Sequence, residues 1–205
     1  MRHINGRIVI GLTGGVGSGK STVANILKDE FGALLILTDD VAKELMKPNR
    51  VTYNKVVNYF GEGILNKDRS INAQMLSNIV FNDENELKKL NEISHGDVLE
   101  KIEILLRDDT LNKIIVIESA ILVESGCNKF CDQIWSVITD NNIRKKRLEE
   151  SRGYSEEKTN QVMNNQKSNE WYINISDKYI VNDGDINNLK EKVSQYVSEL
   201  WGIVL

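Results

Sequence analysis

Residue types that ligate metals or carry redox chemistry are scarce in this chain, with two cysteines and two histidines among 205 residues. Cys127 and Cys131 lie four apart with no histidine nearby, so the segment lacks the further ligands that a metal site needs. The expectation is reduced thiols, one or both half-buried, as a cytosolic address permits. Basic charge is not in excess either. Lys and Arg number 26 against 30 Asp and Glu, the formal net charge is −4 and the sequence pI is about 5.4, so no overall basic field favours nucleic acid or an anionic membrane. Long apolar runs are missing too. "IVIGL", which follows Met1-Arg2-His3 after a few residues, is shorter than a signal-peptide core and leads straight into glycines, and no run reaches the length of a membrane span. These absences point to a cytoplasmic protein without nucleic-acid or membrane partners.

What remains is 40% hydrophobic and 27% charged, enough for one sizeable core. Short β-branched runs recur at "RIVIGL" (7–12), "ALLILTDD" (33–40), "KIIVIESAIL" (113–122), "QIWSVIT" (133–139) and "KYIVND" (178–183). Helical periodicity separates them. "KSTVANILKDEF" places Val23, Ile26 and Leu27 on one face and stops at Gly32. Between Val41 and Arg107 three stripes follow: Tyr53, Val56, Val57 and Phe60; Leu76, Ile79 and Val80; and Val98, Ile102, Leu105 and Leu106. A polar, basic-then-mixed segment follows the fourth run, and the tail offers a last helix with Ile186, Leu189, Val193, Tyr196, Val197 and Leu200 on one face. Such alternation is the sequence form of an α/β protein with a parallel sheet flanked by helices. Trp135 falls within a strand pattern and reads as core.

"GGVGSGKST" at residues 14–22 lies between the first strand and the first helix. Gly14, Gly19, Lys20 and Ser21 satisfy GxxxxGK[ST], the P-loop pattern, with Gly15, Val16, Gly17 and Ser18 inside it. Glycines let the backbone wrap so that successive N–H groups converge, and the following helix adds its N-terminal dipole. Lys20 is the cation for the outer phosphates, the Ser21 hydroxyl a ligand for Mg²⁺, and Thr22 a donor to the inner phosphates. ATP is the expected nucleotide, since the guanine-reading Asn-Lys-x-Asp is missing: Asn128-Lys129-Phe130 runs into Cys131. The loop alone does not separate kinases from motors or nucleotide switches.

Phosphoryl transfer to a hydroxyl needs a base in line with the γ-phosphate. Asp39 and Asp40 lie just past the second strand, where open α/β sheets put their ligands, although they would equally serve to cap the next helix. Glu118 closes "IIVI" in a position resembling Walker B, where a carboxylate meets the Mg²⁺ shell. Among Arg144, Lys145, Lys146, Arg147 and Arg152, the two lysines read as a solvated helix face. Arg147 and Arg152, beside Gly153, suit a lid that brings cations over the transferring group.

Taken in order, "IGLTGGVGSGKSTVA", "LTDDVAKEL", "LNEISH", "ESAILVESG", "RKKRLEESRG" and Gln166 followed by "SDKYIVNDG" resemble the dephospho-coenzyme A kinase family over about Ile8 to Tyr196. The resemblance implies a P-loop NTPase-type core (about 1–45, 112–142 and 177–205), a helical insertion for the coenzyme A moiety (about 46–111) and a helical lid (about 143–176). It also implies transfer of the ATP γ-phosphate to the ribose 3′-hydroxyl of dephospho-coenzyme A, in a monomer or small homo-oligomer. A nucleoside or nucleotide kinase is the alternative. By position, Asp39 matches the second aspartate of the family's Asp-x-Asp segment, the base or acceptor-orienting group, and Lys20 and Arg152 match the cations on the transferred phosphoryl. His95 is a substrate contact on the same grounds. Four positions depart from the family: Leu37 replaces the first aspartate, His95-Gly96 stands for His-Pro at an expected helix start, Glu118-Ser119-Ala120 stands for Asp-x-Pro, and Tyr172 occupies a commonly basic site.

Overall fold

The computed structural model describes residues 6–204, with side chains to residue 200. Met1-Arg2-His3, on which the expectation about a leader rests, lies outside the described residues. The first strand, β1 (Ile8–Thr13), is buried at all six positions. A strand with no face toward water must be mostly apolar, and "IVIGLT", with only Thr13 polar, meets that condition. It pairs in parallel with β3 (Ile114–Glu118) on one side and β4 (Gln133–Ile138) on the other, and β4 pairs in parallel with β5 (Lys178–Val181). With β2 (Leu34–Leu37) at the far edge, the strand order is β2-β3-β1-β4-β5. The chain leaves β1, travels to one edge and later returns to its other side. The C-terminal end of β1 is therefore the switch point where such sheets hold ligands. Register sets Leu12 opposite both Glu118 and Trp135, so the Glu118 carboxylate comes level with the start of the glycine loop.

One face of the sheet is covered by α1 (Lys20–Phe31) and α9 (Ile186–Val204). Val23, Ile26, Leu27, Leu189, Val193, Val197 and Leu200 pack there on Ile8, Ile10, Leu12, Val116, Trp135, Val137 and Ile180. Trp135 has no exposed surface and meets the Tyr196 ring edge-on at 5.6 Å. Ile186, placed on the apolar face of the tail, is instead 45% exposed because it begins the helix before it reaches the sheet. Two strands stop well short of their apolar runs. "ALLILTDD" stops being strand at Leu37 and turns directly into helix, and "KIIVIESAIL" leaves the sheet at Glu118. Its remainder forms turns in which Leu122 is completely buried. A buried turn and a buried strand have the same apolar signature, so the pattern alone overextends the strand.

The segment expected as a lid carries α6 (Asn141–Arg152), α7 (Glu156–Asn164) and α8 (Asn169–Asn174). Asp140, Ser155 and Ser168 cap their N-termini through side-chain oxygens, and Gly153 closes α6 at φ 64°. Such caps are worth about 1 kcal/mol each, which matters for helices this short.

The chain divides into two compact units, one from residues up to Ile36 and from Leu111 onward, the other Leu37–Thr110. The second unit is helical among its described elements: α2 (Thr38–Leu45), α3 (Val51–Phe60), α4 (Ala73–Asn82) and α5 (Glu84–Asp108). Val56, Ile64 and Leu76 form its centre, with Phe60, Leu90 and Ile93 packed around them. Buried Asp97 on α5 accepts a 2.8 Å hydrogen bond from the Thr52 hydroxyl and pairs with Lys55, which cross-links α3 to α5.

Candidate active site

The loop between β1 and α1 is shaped by two backbone demands. Gly19, the N-cap of α1, has φ 91°, and a Cβ there would fall 2.1 Å from Asn182 Nδ2. Gly14 has φ 143°, and its Cβ would meet the Val137 carbonyl oxygen at 2.2 Å. Any side chain at either position brings left-handed strain and a collision with neighbouring strands. The loop thus sits directly on the ends of β4 and β5.

Lys20 opens α1 and is 9% exposed. Its ammonium donates to the carbonyl oxygens of Gly14 at 3.0 Å and Gly15 at 3.3 Å and lies 3.8 Å from the Glu118 carboxylate. The amine is thereby folded over the loop it is expected to serve, with Glu118 as counter-charge. Ser21 is exposed and Thr22 half-buried in the first turn of α1. A hydroxyl at Ser21 and a carboxylate at Glu118 are hard oxygen donors of the kind Mg²⁺ takes when phosphates supply the rest of its shell. Among the described residues no cluster of three or more His, Cys, Asp or Glu could hold a metal by itself. Cys127 is buried and Cys131 half-buried, both are free, and burial pushes the Cys131 thiol up to about 12, which leaves it inert as a nucleophile.

Behind the loop, Asn182 donates from Nδ2 to the Ser18 carbonyl at 2.8 Å, and Thr139 Oγ1 lies 3.0 Å from the same oxygen. Arg147, expected over the phosphates, donates to the Asn182 carbonyl at 3.0 Å and is half-buried against this group. Arg144 is buried and donates to the Val16 carbonyl at 3.2 Å, while Gln166 accepts from the Val16 N–H at 3.0 Å. Arg152, at the last position of α6, is exposed and has no side-chain bond among the described residues. Loop, Lys20, Glu118 and Arg147 therefore belong to one constellation, and Arg152 is not bonded to it. Sequence reasoning missed Thr139, Asn182 and the inward turn of Arg144, and met Gln166 only through the resemblance. Thr139 and Asn182 each stand one residue past a strand, after β4 and β5, which is the signal that would have found them.

The helical unit holds the other two candidates. Asp39 and Asp40 are exposed in the first turn of α2, and neither caps it, since the N-cap is Leu37 without a side-chain bond. Asp40 pairs with Lys43 at 3.0 Å; Asp39 has no side-chain bond among the described residues. His95 is corrected from a helix start to the interior of α5, an unbroken helix of 25 residues. Glycine at position 96 lets the helix run on where a proline would remove a hydrogen bond. The imidazole is half-buried, and burial lowers its pKa from the ordinary 6.5.

The sequence and the fold have counterparts among known proteins. The dephospho-CoA kinase family model matches residues 8–188. The chain belongs to the dephospho-CoA kinase family. It is 34% identical over 187 residues to a dephospho-CoA kinase of Carboxydothermus hydrogenoformans, covering 90% of each chain. Over 154 residues it is 40% identical to that of Geobacillus kaustophilus, covering 73% of this chain and 75% of the relative. The fold matches a dephospho-CoA kinase structure from Campylobacter jejuni with a TM-score of 0.66 at 22% identity, covering 94% and 96% of the two chains. It also matches a shikimate kinase from Acinetobacter baumannii with a TM-score of 0.53 at 14% identity, covering 94% of each, so the scaffold is shared among P-loop kinases. Family membership makes the chain an ATP-dependent kinase with an alcohol group as acceptor. Among the described residues no helix is long and apolar enough to cross a membrane.

Proposed function

We propose that this chain transfers the γ-phosphoryl group of ATP to the ribose 3′-hydroxyl of dephospho-CoA, giving CoA and ADP, in the cytoplasm. The observation that carries the proposal is the glycine loop built at the switch point of the sheet in a chain matched by the dephospho-CoA kinase family along most of its length. In this reading the backbone N–H groups of Gly14 to Thr22 hold the triphosphate, and Lys20 exchanges its loop carbonyls for the outer phosphate oxygens, where it stabilises charge as the bond to the leaving oxygen lengthens. Arg147 and Arg152 add cations from α6. A lid formed by residues 143–176 would exclude water from the transferring group.

Asp39 accepts the proton of the attacking 3′-hydroxyl. Its support is its place two residues past the end of β2, at a position matching the family's Asp-x-Asp segment. With Leu37 at the first position of that segment, only one of its two carboxylates remains. His95 contacts the acceptor from α5, as a neutral imidazole. Ser21 and Glu118 would hold Mg²⁺ together with the nucleotide, and the ion would supply neutralisation of the phosphate charge. An ADP-release assay across acceptors tests the reading, with phosphorus NMR of the product for the position of the new phosphate. Preferred turnover of dephospho-CoA with a 3′-phosphorylated product is expected. Equal turnover of AMP or a free nucleoside would overturn it.

A further inference from the structure

Arg144 differs from its neighbours in the basic run. Lys145 and Lys146 pair with Glu156 and Glu150 near the surface, whereas Arg144 is 3% exposed and faces the loop. Its acceptors are all neutral: the Val16 carbonyl from Nε at 3.2 Å, Asn141 Oδ1 from Nη1 at 3.3 Å, and Gln166 Oε1 from Nη2 at 2.6 Å. No carboxylate bonds it among the described residues. Burial lowers its pKa, yet a guanidinium stays protonated under such pressure. Keeping an uncompensated cation out of water is costly unless something repays it.

The surroundings indicate what does. Gln166 Oε1, which takes the Arg144 hydrogen bond, also accepts from the Val16 N–H at 3.0 Å, so both polar groups of Val16 are gripped by this pair. A Cβ on Gly15 would lie 2.2 Å from Arg144 Nη2, so the guanidinium rests against bare loop backbone. The charge therefore stands directly behind the turn that wraps an anion.

We infer that Arg144 is a buried counter-charge of the phosphate loop, a positioning residue oriented by Gln166, and that it sets the affinity of this loop for the polyphosphate of the nucleotide. This rests on the loop being the nucleotide site, as proposed above, and not on the identity of the acceptor. Gln166→Glu isolates the charge. The glutamate keeps an acceptor for both the Val16 N–H and the guanidinium, but adds a negative charge beside Arg144.

Calorimetric binding of ATP, ADP and AMP to the whole chain, without acceptor, is the measurement. In Gln166→Glu, ATP affinity should fall about tenfold, the size expected of one added charge several ångströms away through partly screened protein, with smaller losses for ADP and AMP. The melting temperature of the nucleotide-free protein should not fall. Arg144→Lys should retain more ATP affinity than Arg144→Met. Wild-type ATP affinity in Gln166→Glu, or an equal loss for all three nucleotides, would reduce Arg144 to loop scaffolding. If Gln166→Glu does not fold, equal ATP affinity in the lysine and methionine variants overturns the inference. A wild-type chain that binds ATP but fails to turn over dephospho-CoA would refute the proposed reaction and leave this inference standing.

Discussion

At the scale of single residues, two carboxylates and one hydroxyl are expected to carry separable tasks. Glu118 is tied to Lys20 within the loop's own unit, whereas Asp39 is exposed and has no side-chain bond among the described residues. Asp39→Asn should lower turnover by at least about 10²-fold, the usual scale of a general base, with ATP binding little changed. Collapse of ATP affinity with turnover per bound ATP intact would mark Asp39 as a structural or metal residue. Ser21 is exposed at the start of α1, so its hydroxyl is available to a metal. Ser21→Ala should weaken nucleotide binding in the presence of Mg²⁺ more than in EDTA. Equal loss in both buffers would mean that the serine acts on the loop's conformation. The loop glycines were legible because their requirement is local, while the residues they make room for were not. Asn182 lies 164 positions from Ser18, and Gln166 150 from Val16.

At the scale of elements, α5 does the most to organise the helical unit. Asp97 on it bonds Thr52 and Lys55 of α3, and the Thr52 side chain has no other route to water at 1% exposure. Asp97→Ala should cost about 2 kcal/mol by denaturant unfolding, because it strands a buried hydroxyl; Lys55→Met should cost less, since half of that lysine remains in water. A shift of equal size in both variants would place the energy in the ion pair instead. On the same helix, His95 has a folded pKa below its ordinary 6.5 because burial disfavours the cation. The unfolded chain then binds the proton more readily, so stability from this site is present above the unfolded pKa and is lost as pH falls through the window between the two values. Proton NMR should show His95 titrating below 6.5, and His95→Gln should flatten the acid limb of stability. A midpoint at or above 6.5 would contradict its burial. The helical stripes of α3, α4 and α5 were readable from period alone, but the continuity of α5 through His95-Gly96 was not, since helix ends depend on caps such as Asp83 and on the absence of proline.

At the scale of the whole molecule, a helical unit of residues 37–110 is far larger than a hydroxyl acceptor alone requires. If it grips the remote part of a long substrate, that binding energy can be spent on orienting the reacting hydroxyl. Adenosine and AMP should therefore lose kcat as well as apparent affinity relative to dephospho-CoA. Steady-state kinetics that change KM alone would show that the remote contacts are uniform binding and do not assist the chemistry.

The amino-acid sequence by itself determined the class of chemistry and the kind of scaffold. A phosphate loop is a run of consecutive residues whose N–H groups and glycines act together, and a buried parallel strand is a run of apolar ones, so both are written locally. The order of motifs added the family. Tertiary structure alone decided the strand order that puts β1 at the switch point, the contacts of Thr139, Gln166 and Asn182 with the loop, and that Arg144 and Arg147 of "RKKR" turn inward. In that run Arg144 and Lys145 are adjacent and alike in charge. A rotation of about 100° between adjacent residues of α6 separates the side that meets Val16 from the side that meets Glu156, and only the packed helix fixes which residue occupies which.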